Sequence, residues 1–105
     1  MFKKAAGREP SHIQSRLSLG VCFLRLRRPE RAKEQFEAAL ALDRQYAPSY
    51  YSLASYYAAV GDADSAVKQL QKAISLYPKI KEWVKEDPDF EPIRGNPNLQ
   101  KLAGF

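Results

Sequence analysis

Apolar residues recur along this chain at helical spacing, in blocks separated by short polar breaks. Tyr50, Leu53, Ala54 and Tyr57 stand at i, i+3, i+4 and i+7, which puts them on one helical face. A break follows at Gly61-Asp62, where glycine ends one helix and Asp62 or Asp64 can cap the next. Ala66, Leu70, Ala73 and Ile74 then line the face of a second helix, which Pro78 stops.

Shifting the sequence against itself by 34 residues brings a second copy of this block into register. Leu19 falls on Leu53, Gly20 on Ala54 and Phe23 on Tyr57, then Ala32 on Ala66, Phe36 on Leu70, Ala39 on Ala73 and Leu42 on Leu76. Each copy reads as two antiparallel helices with a turn between them. Ala54 and Ala66 mark where the two helices of a repeat approach closely, because a long side chain there would wedge them apart. The aromatic and leucine positions fill the space between neighbouring pairs. The pattern predicts helices near 1–8, 12–26, 30–43, 47–60, 63–76 and 79–86, and no strand.

This arrangement resembles the tetratricopeptide repeat family. Residues 47–80 match its order of large, Leu, small, aromatic, then Ala, large, Ala, Pro, through Tyr50, Leu53, Ala54, Tyr57, Ala66, Leu70, Ala73 and Pro78. Residues 13–46 agree at Leu19, Gly20, Phe23, Ala32, Phe36 and Ala39. They depart at Arg16, where a large aromatic is usual, and at Arg44, where proline is. The resemblance implies an all-α fold, with helix-turn-helix repeats stacked as a short right-handed α-solenoid. Residues 1–105 then form a single domain: a half-repeat helix at 1–12, repeats at 13–46 and 47–80, and a capping helix and tail at 81–105. The half-repeat follows from running the register backwards, since Phe2 precedes Phe36 and Ala5 precedes Ala39 by 34 residues, with Pro10 at the closing proline site. Such a segment allows self-association through Phe2 and its apolar neighbours.

Beyond Lys79–Glu86, which carries Ile80, Trp83 and Val84 on one side, Pro88, Pro92 and Pro97 forbid a long regular helix. Asp87-Pro88 and Asn96-Pro97 each read as an N-cap followed by proline at the first helical position. They predict a short turn at 88–92 and a short helix at 97–103, from which Phe90, Ile93, Leu99 and Leu102 fold back onto the last repeat. This tail closes the stack, as the end of a repeat array must.

Composition places the 105 residues among globular chains, at 45% hydrophobic and 28% charged. No apolar run approaches the ~20 residues needed to cross a bilayer. The basic start, Met1-Phe2-Lys3-Lys4, is not followed by the apolar stretch of a signal peptide. A lone cysteine, Cys22, cannot form an internal disulfide, which fits a reducing compartment, and the cytoplasm is the expected location. The net charge of +5 is uneven: residues 1–33 hold Lys3, Lys4, Arg8, Arg16, Arg25, Arg27, Arg28, Arg31 and Lys33 against Glu9 and Glu30. That asymmetry allows an acidic partner or nucleic acid at the Arg25–Arg31 edge, although no aromatics interleave there to stack on bases.

Nothing in the sequence assembles catalytic chemistry. His12 is the single histidine and sits at an inter-repeat turn, and Cys22 lies inside a helix between Val21 and Phe23, where a packed thiol is usual. Zinc spacing and a glycine-rich phosphate loop are both missing, and Asp87, Asp89 and Glu91 stand beside prolines at helix starts, where capping explains them. A non-enzymatic chain with no cofactor and no metal is expected. The resemblance implies a different role, that of a protein–protein interaction module. In that family the second face of each leading helix lines the concave side of the superhelix. Here that face carries Gln14, Leu17, Val21, Leu24 and Arg25, then Tyr51, Ser55 and Ala58. An apolar strip edged by Gln14 and Arg25 suits a peptide with one or two apolar anchors. Family members that clamp a C-terminal carboxylate use lysine and asparagine on this face, and Leu17, Val21, Tyr51 and Ser55 do not supply that clamp.

Overall fold

A computed structural model describes residues 10–104. Their elements are α1 (Pro10–Arg25), α2 (Pro29–Leu42), α3 (Ala47–Ala59), α4 (Ala63–Leu76), α5 (Ile80–Glu86), a 3-10 segment (Pro88–Ile93) and α6 (Pro97–Ala103). There is no strand among the described residues. The expected helix at 1–8 lies outside them. Helix α1 begins at Pro10, slightly before the expected start at 12, and the short turn expected at 88–92 is the 3-10 segment.

The two repeats reverse direction through the same backbone device. At the end of α1 the Arg28 N–H donates to the Phe23 carbonyl at 2.8 Å and the Arg27 N–H to the Leu24 carbonyl at 3.0 Å. At the end of α3 the Asp62 N–H donates to Tyr57 at 2.9 Å and the Gly61 N–H to Ala58 at 3.1 Å. Both are Schellman caps, which need one residue in the left-handed region. Gly61 fills that place at φ 81°, and its counterpart 34 positions earlier is Arg27 at φ 62°. The following helices start differently. Pro29 opens α2 with no side-chain cap from Arg28, whereas Asp62, not Asp64, caps α4.

The Asp62 carboxylate accepts from the Ser65 hydroxyl at 2.8 Å and from the Ser65 N–H at 3.1 Å. These bonds, the hydroxyl's first, hold the carboxyl below its ordinary value. A lowered carboxylate stabilises the fold above its unfolded value, and that contribution is lost as pH falls through the folded one. Asp62→Ala is therefore expected to lower the melting temperature at neutral pH. Melting curves taken in acid, below the folded value, are expected to show a smaller difference between the two proteins.

Two apolar clusters hold the stack. The first joins Ile13 and Leu17 of α1 to Ala32, Phe36 and Ala39 of α2, with Leu53 of α3 reaching into it. The second gathers Tyr50, Ala54 and Ala58 with Ala66, Leu70 and Ala73, and closes with Ile80, Val84, Phe90, Ile93, Leu99 and Ala103. Ala54 and Ala66 are completely buried, which lets α3 and α4 approach as their size implies. In the first pair Gly20 goes further, since a Cβ built there would sit 2.3 Å from Phe36 Cε1. The tail's Phe90, Ile93 and Leu99 are buried and Leu102 is half-buried, so the tail is part of the core.

Two expectations are corrected. Cys22 is exposed, not packed. The buried face of α1 runs through Ile13, Leu17 and Gly20, and Cys22 lies about 140° round the helix from Leu17 at 100° per residue. Trp83 is 39% exposed while Ile80 and Val84 on the same short helix are fully buried. Its ring stays at the surface, edge-on to Tyr51 at 5.4 Å and to Tyr77 at 5.7 Å. Arg16, at the aromatic position of the repeat, is exposed and reaches Gln35 at 3.4 Å, whereas its counterpart Tyr50 is buried and donates to the Arg44 carbonyl at 2.9 Å.

Candidate groove between the leading helices

Helices α1 and α3 lead their repeats and lie near each other, with the 3-10 segment packed on α3. Two clefts open along them. One, of about 310 Å³, is lined by Val21, Leu24 and Arg25 of α1, Ser55 and Ala59 of α3, and Pro88, Asp89 and Pro92 of the tail. The other, of about 290 Å³, is lined by Gln14, Leu17, Ser18 and Val21 of α1 and by Pro48, Tyr51 and Ser52 of α3. They share Val21 and so form one trough. Half of its lining residues are aliphatic or proline and the other half are polar, charged or, at Tyr51, aromatic, a mixture that suits a peptide with a few apolar side chains.

The residues anticipated for this face divide into two sets. Gln14 and Arg25 are exposed at its edges, and Val21 and Leu24 are half-buried along it. Gln14 is held by the Tyr46 hydroxyl, which donates to its side-chain oxygen at 3.0 Å. Leu17, Ser55 and Ala58 are buried, at 4%, 6% and 0% exposure, and so are not free contact residues. Leu17 packs into the first cluster with Ile13 and Phe36, since residues four apart share a face. Ser55 turns its hydroxyl back to the Tyr51 carbonyl at 3.3 Å. Ala58 belongs to the second cluster together with Phe90 and Ile93 of the tail.

Tyr51 is not a free anchor either. Its hydroxyl donates to the Asp87 carboxylate, and its ring stands edge-on to Trp83 and Phe90, each at 5.4 Å. Burial, then the bond to Asp87, holds this hydroxyl well above the usual phenol range, so it remains a proton donor. The tail thus occupies the second repeat's share of the face and builds one wall of the trough. Pro88, Asp89 and Pro92 are lining residues that sequence reasoning placed only in a closing tail. Asp89 is exposed at the surface; partial desolvation, then the neighbouring charge of Asp87, raises its carboxyl, with Arg25 opposing the shift.

No three His, Cys, Asp or Glu side chains among the described residues are placed to hold a metal ion. No helix among the described residues is long and apolar enough to cross a membrane. The sequence profile of the tetratricopeptide repeat matches residues 13–46 and 47–80. Similarity extends to Protein O-mannosyl-transferase TMTC3 of Homo sapiens, 32% identical over 82 residues. That alignment covers 77% of this chain and 9% of the relative's length. No solved structure gives a significant match.

Proposed function

The chain belongs to the tetratricopeptide repeat family, and we propose that it is a non-catalytic interaction module whose α1/α3 trough holds an extended or helical segment of a partner protein. The observation that carries this reading is the pair of clefts meeting at Val21, half of whose lining residues are aliphatic or proline. Family membership supports the general role, since these repeats mediate protein–protein interaction. Val21, Leu24, Arg25 and Gln14 make the contacts, Tyr51 with its docked tail shapes the wall, and Leu17 and Ser55 form the floor, while Ala58 stays in the core beneath.

Leu24→Glu puts a charge on the apolar wall without touching a fully buried position. It is expected to weaken a bound peptide by on the order of 2 kcal/mol, the usual scale for a central contact. Val21→Glu acts at the point where the two clefts join, and is expected to weaken binding at least as much. Titration by fluorescence anisotropy measures both, and circular dichroism checks that each variant is folded. Unchanged affinity in both folded variants would contradict the trough.

A further inference from the structure

We propose that the turn after α1 reads acidic residues of the same bound segment, so that the partner pairs apolar side chains in the trough with a run of Asp or Glu beside it. The inference rests on the trough reading and extends it to partner chemistry. Its first support is conformational. The repeated Schellman cap asks for a left-handed residue, and the second repeat supplies Gly61. The first repeat supplies Arg27, a side chain for which that conformation is unfavourable. Glycine would satisfy the backbone at this turn with less strain, so an arginine there sacrifices stability for something its side chain does.

The second support is where that side chain stands. Arg25, Arg27, Arg28 and Arg31 are all exposed, and Arg25 also lines the trough. Arg25 shares the cleft with Asp89 and interacts with its charge, and the positive charge that no carboxylate on the trough wall offsets lies round the turn at Arg27, Arg28 and Arg31. Leu26, 65% exposed, stands in the middle of these arginines. A patch mixing guanidinium groups with an exposed leucine complements an acidic polypeptide carrying apolar side chains. Nucleic acid fits it less well. Residues 24–31 contain no aromatic ring for a base to stack on, Glu30 interrupts the run, and the patch is confined to one turn, too short to track a backbone.

The test uses random dodecapeptides displayed on phage, panned against the full chain, followed by titration of one selected peptide and its Glu→Gln counterpart. The expected selection pairs apolar residues with several Asp or Glu. The acidic peptide is expected to bind about tenfold tighter than its neutral counterpart, an advantage eroded by salt. Arg27→Gly gives a readout that a purely structural role does not predict. It is expected to raise the melting temperature by about 4 °C, from relief of the left-handed backbone less the entropy glycine adds to the unfolded chain, while weakening the acidic peptide. Arg27→Lys keeps the charge and is expected to keep most of the binding. Selected peptides without acidic bias, but sensitive to Leu24→Glu, would overturn this inference and leave the trough standing. Acidic peptides indifferent to Leu24→Glu would overturn the trough and the inference that rests on it, leaving only a basic patch. Tighter binding of a twenty-residue oligothymidylate than of the acidic peptide would overturn it in favour of nucleic acid.

Discussion

Phe36→Ala is expected to lower the unfolding free energy by about 3–5 kcal/mol, the range for emptying a buried aromatic site. Phe36 has no exposed surface and stands among Ile13, Leu17, Ala32, Ala39 and Leu53, so its ring joins both helices of the first repeat to the leading helix of the second. Its contact with Gly20 supplies a sharper test. Alanine at a helical glycine ordinarily stabilises by about 1 kcal/mol. Here the added Cβ would meet Phe36 Cε1 at 2.3 Å and Cδ1 at 2.7 Å, and a fully buried ring has little room to withdraw. Gly20→Ala is therefore expected to destabilise, by about 1–3 kcal/mol, as overpacking does. Phe36→Leu is expected to cost less when Gly20 is already alanine than on its own, because the smaller side chain relieves the clash. Chemical denaturation of the four proteins gives that coupling directly. Additive effects would show that α1 and α2 do not meet at these residues.

The second large effect concerns the tail. Phe90→Ala is expected to cost about 3–5 kcal/mol as well, although Phe90 lies beyond both repeats. Its side chain is fully buried, it joins a cluster with Ala58, Leu70 and Val84, and it meets the Tyr51 ring edge-on. A tail that merely rested on the repeats would tolerate the change, and only its own amides would lose protection. Hydrogen exchange separates the two cases. The structure predicts that the α3 and α4 amides lose protection together with those of the tail, since one apolar cluster spans all three. Loss confined to residues 88–104 would contradict that shared core.

The helices were legible in the sequence because their information is local and doubled. The apolar faces, the Gly61 break, the Asp62 cap and the prolines each act within a few residues, and the 34-residue register repeats most of them. The close approach at Ala54 and Ala66 was legible for the same reason. The candidate face was legible only in part. Helical spacing alone allows Leu17 on an open strip, whereas its four-residue spacing from Ile13 turns it toward Phe36. Periodicity places Ala58 and Tyr51 on the same strip, because nothing in it says which face a later segment will cover. Covering them depends on non-local contacts between α3 and Asp87 or Phe90, 36 residues apart for Tyr51 and Asp87, and such pairing leaves no periodic trace. The prolines and Asp89 of the trough wall carry no sequence signal as lining residues for the same reason.

Backbone-amide NMR tests the central claim most directly. Isotope-labelled protein would be titrated with a display-selected dodecapeptide, and the amide shifts followed residue by residue. Binding in the trough predicts that the largest changes fall on Val21, Leu24, Arg25, Ser55, Ala59 and Asp89, which come from three elements and line one cleft. Changes centred on Val67, Gln71 and Leu102, which line a separate cleft between α4 and α6, would contradict it.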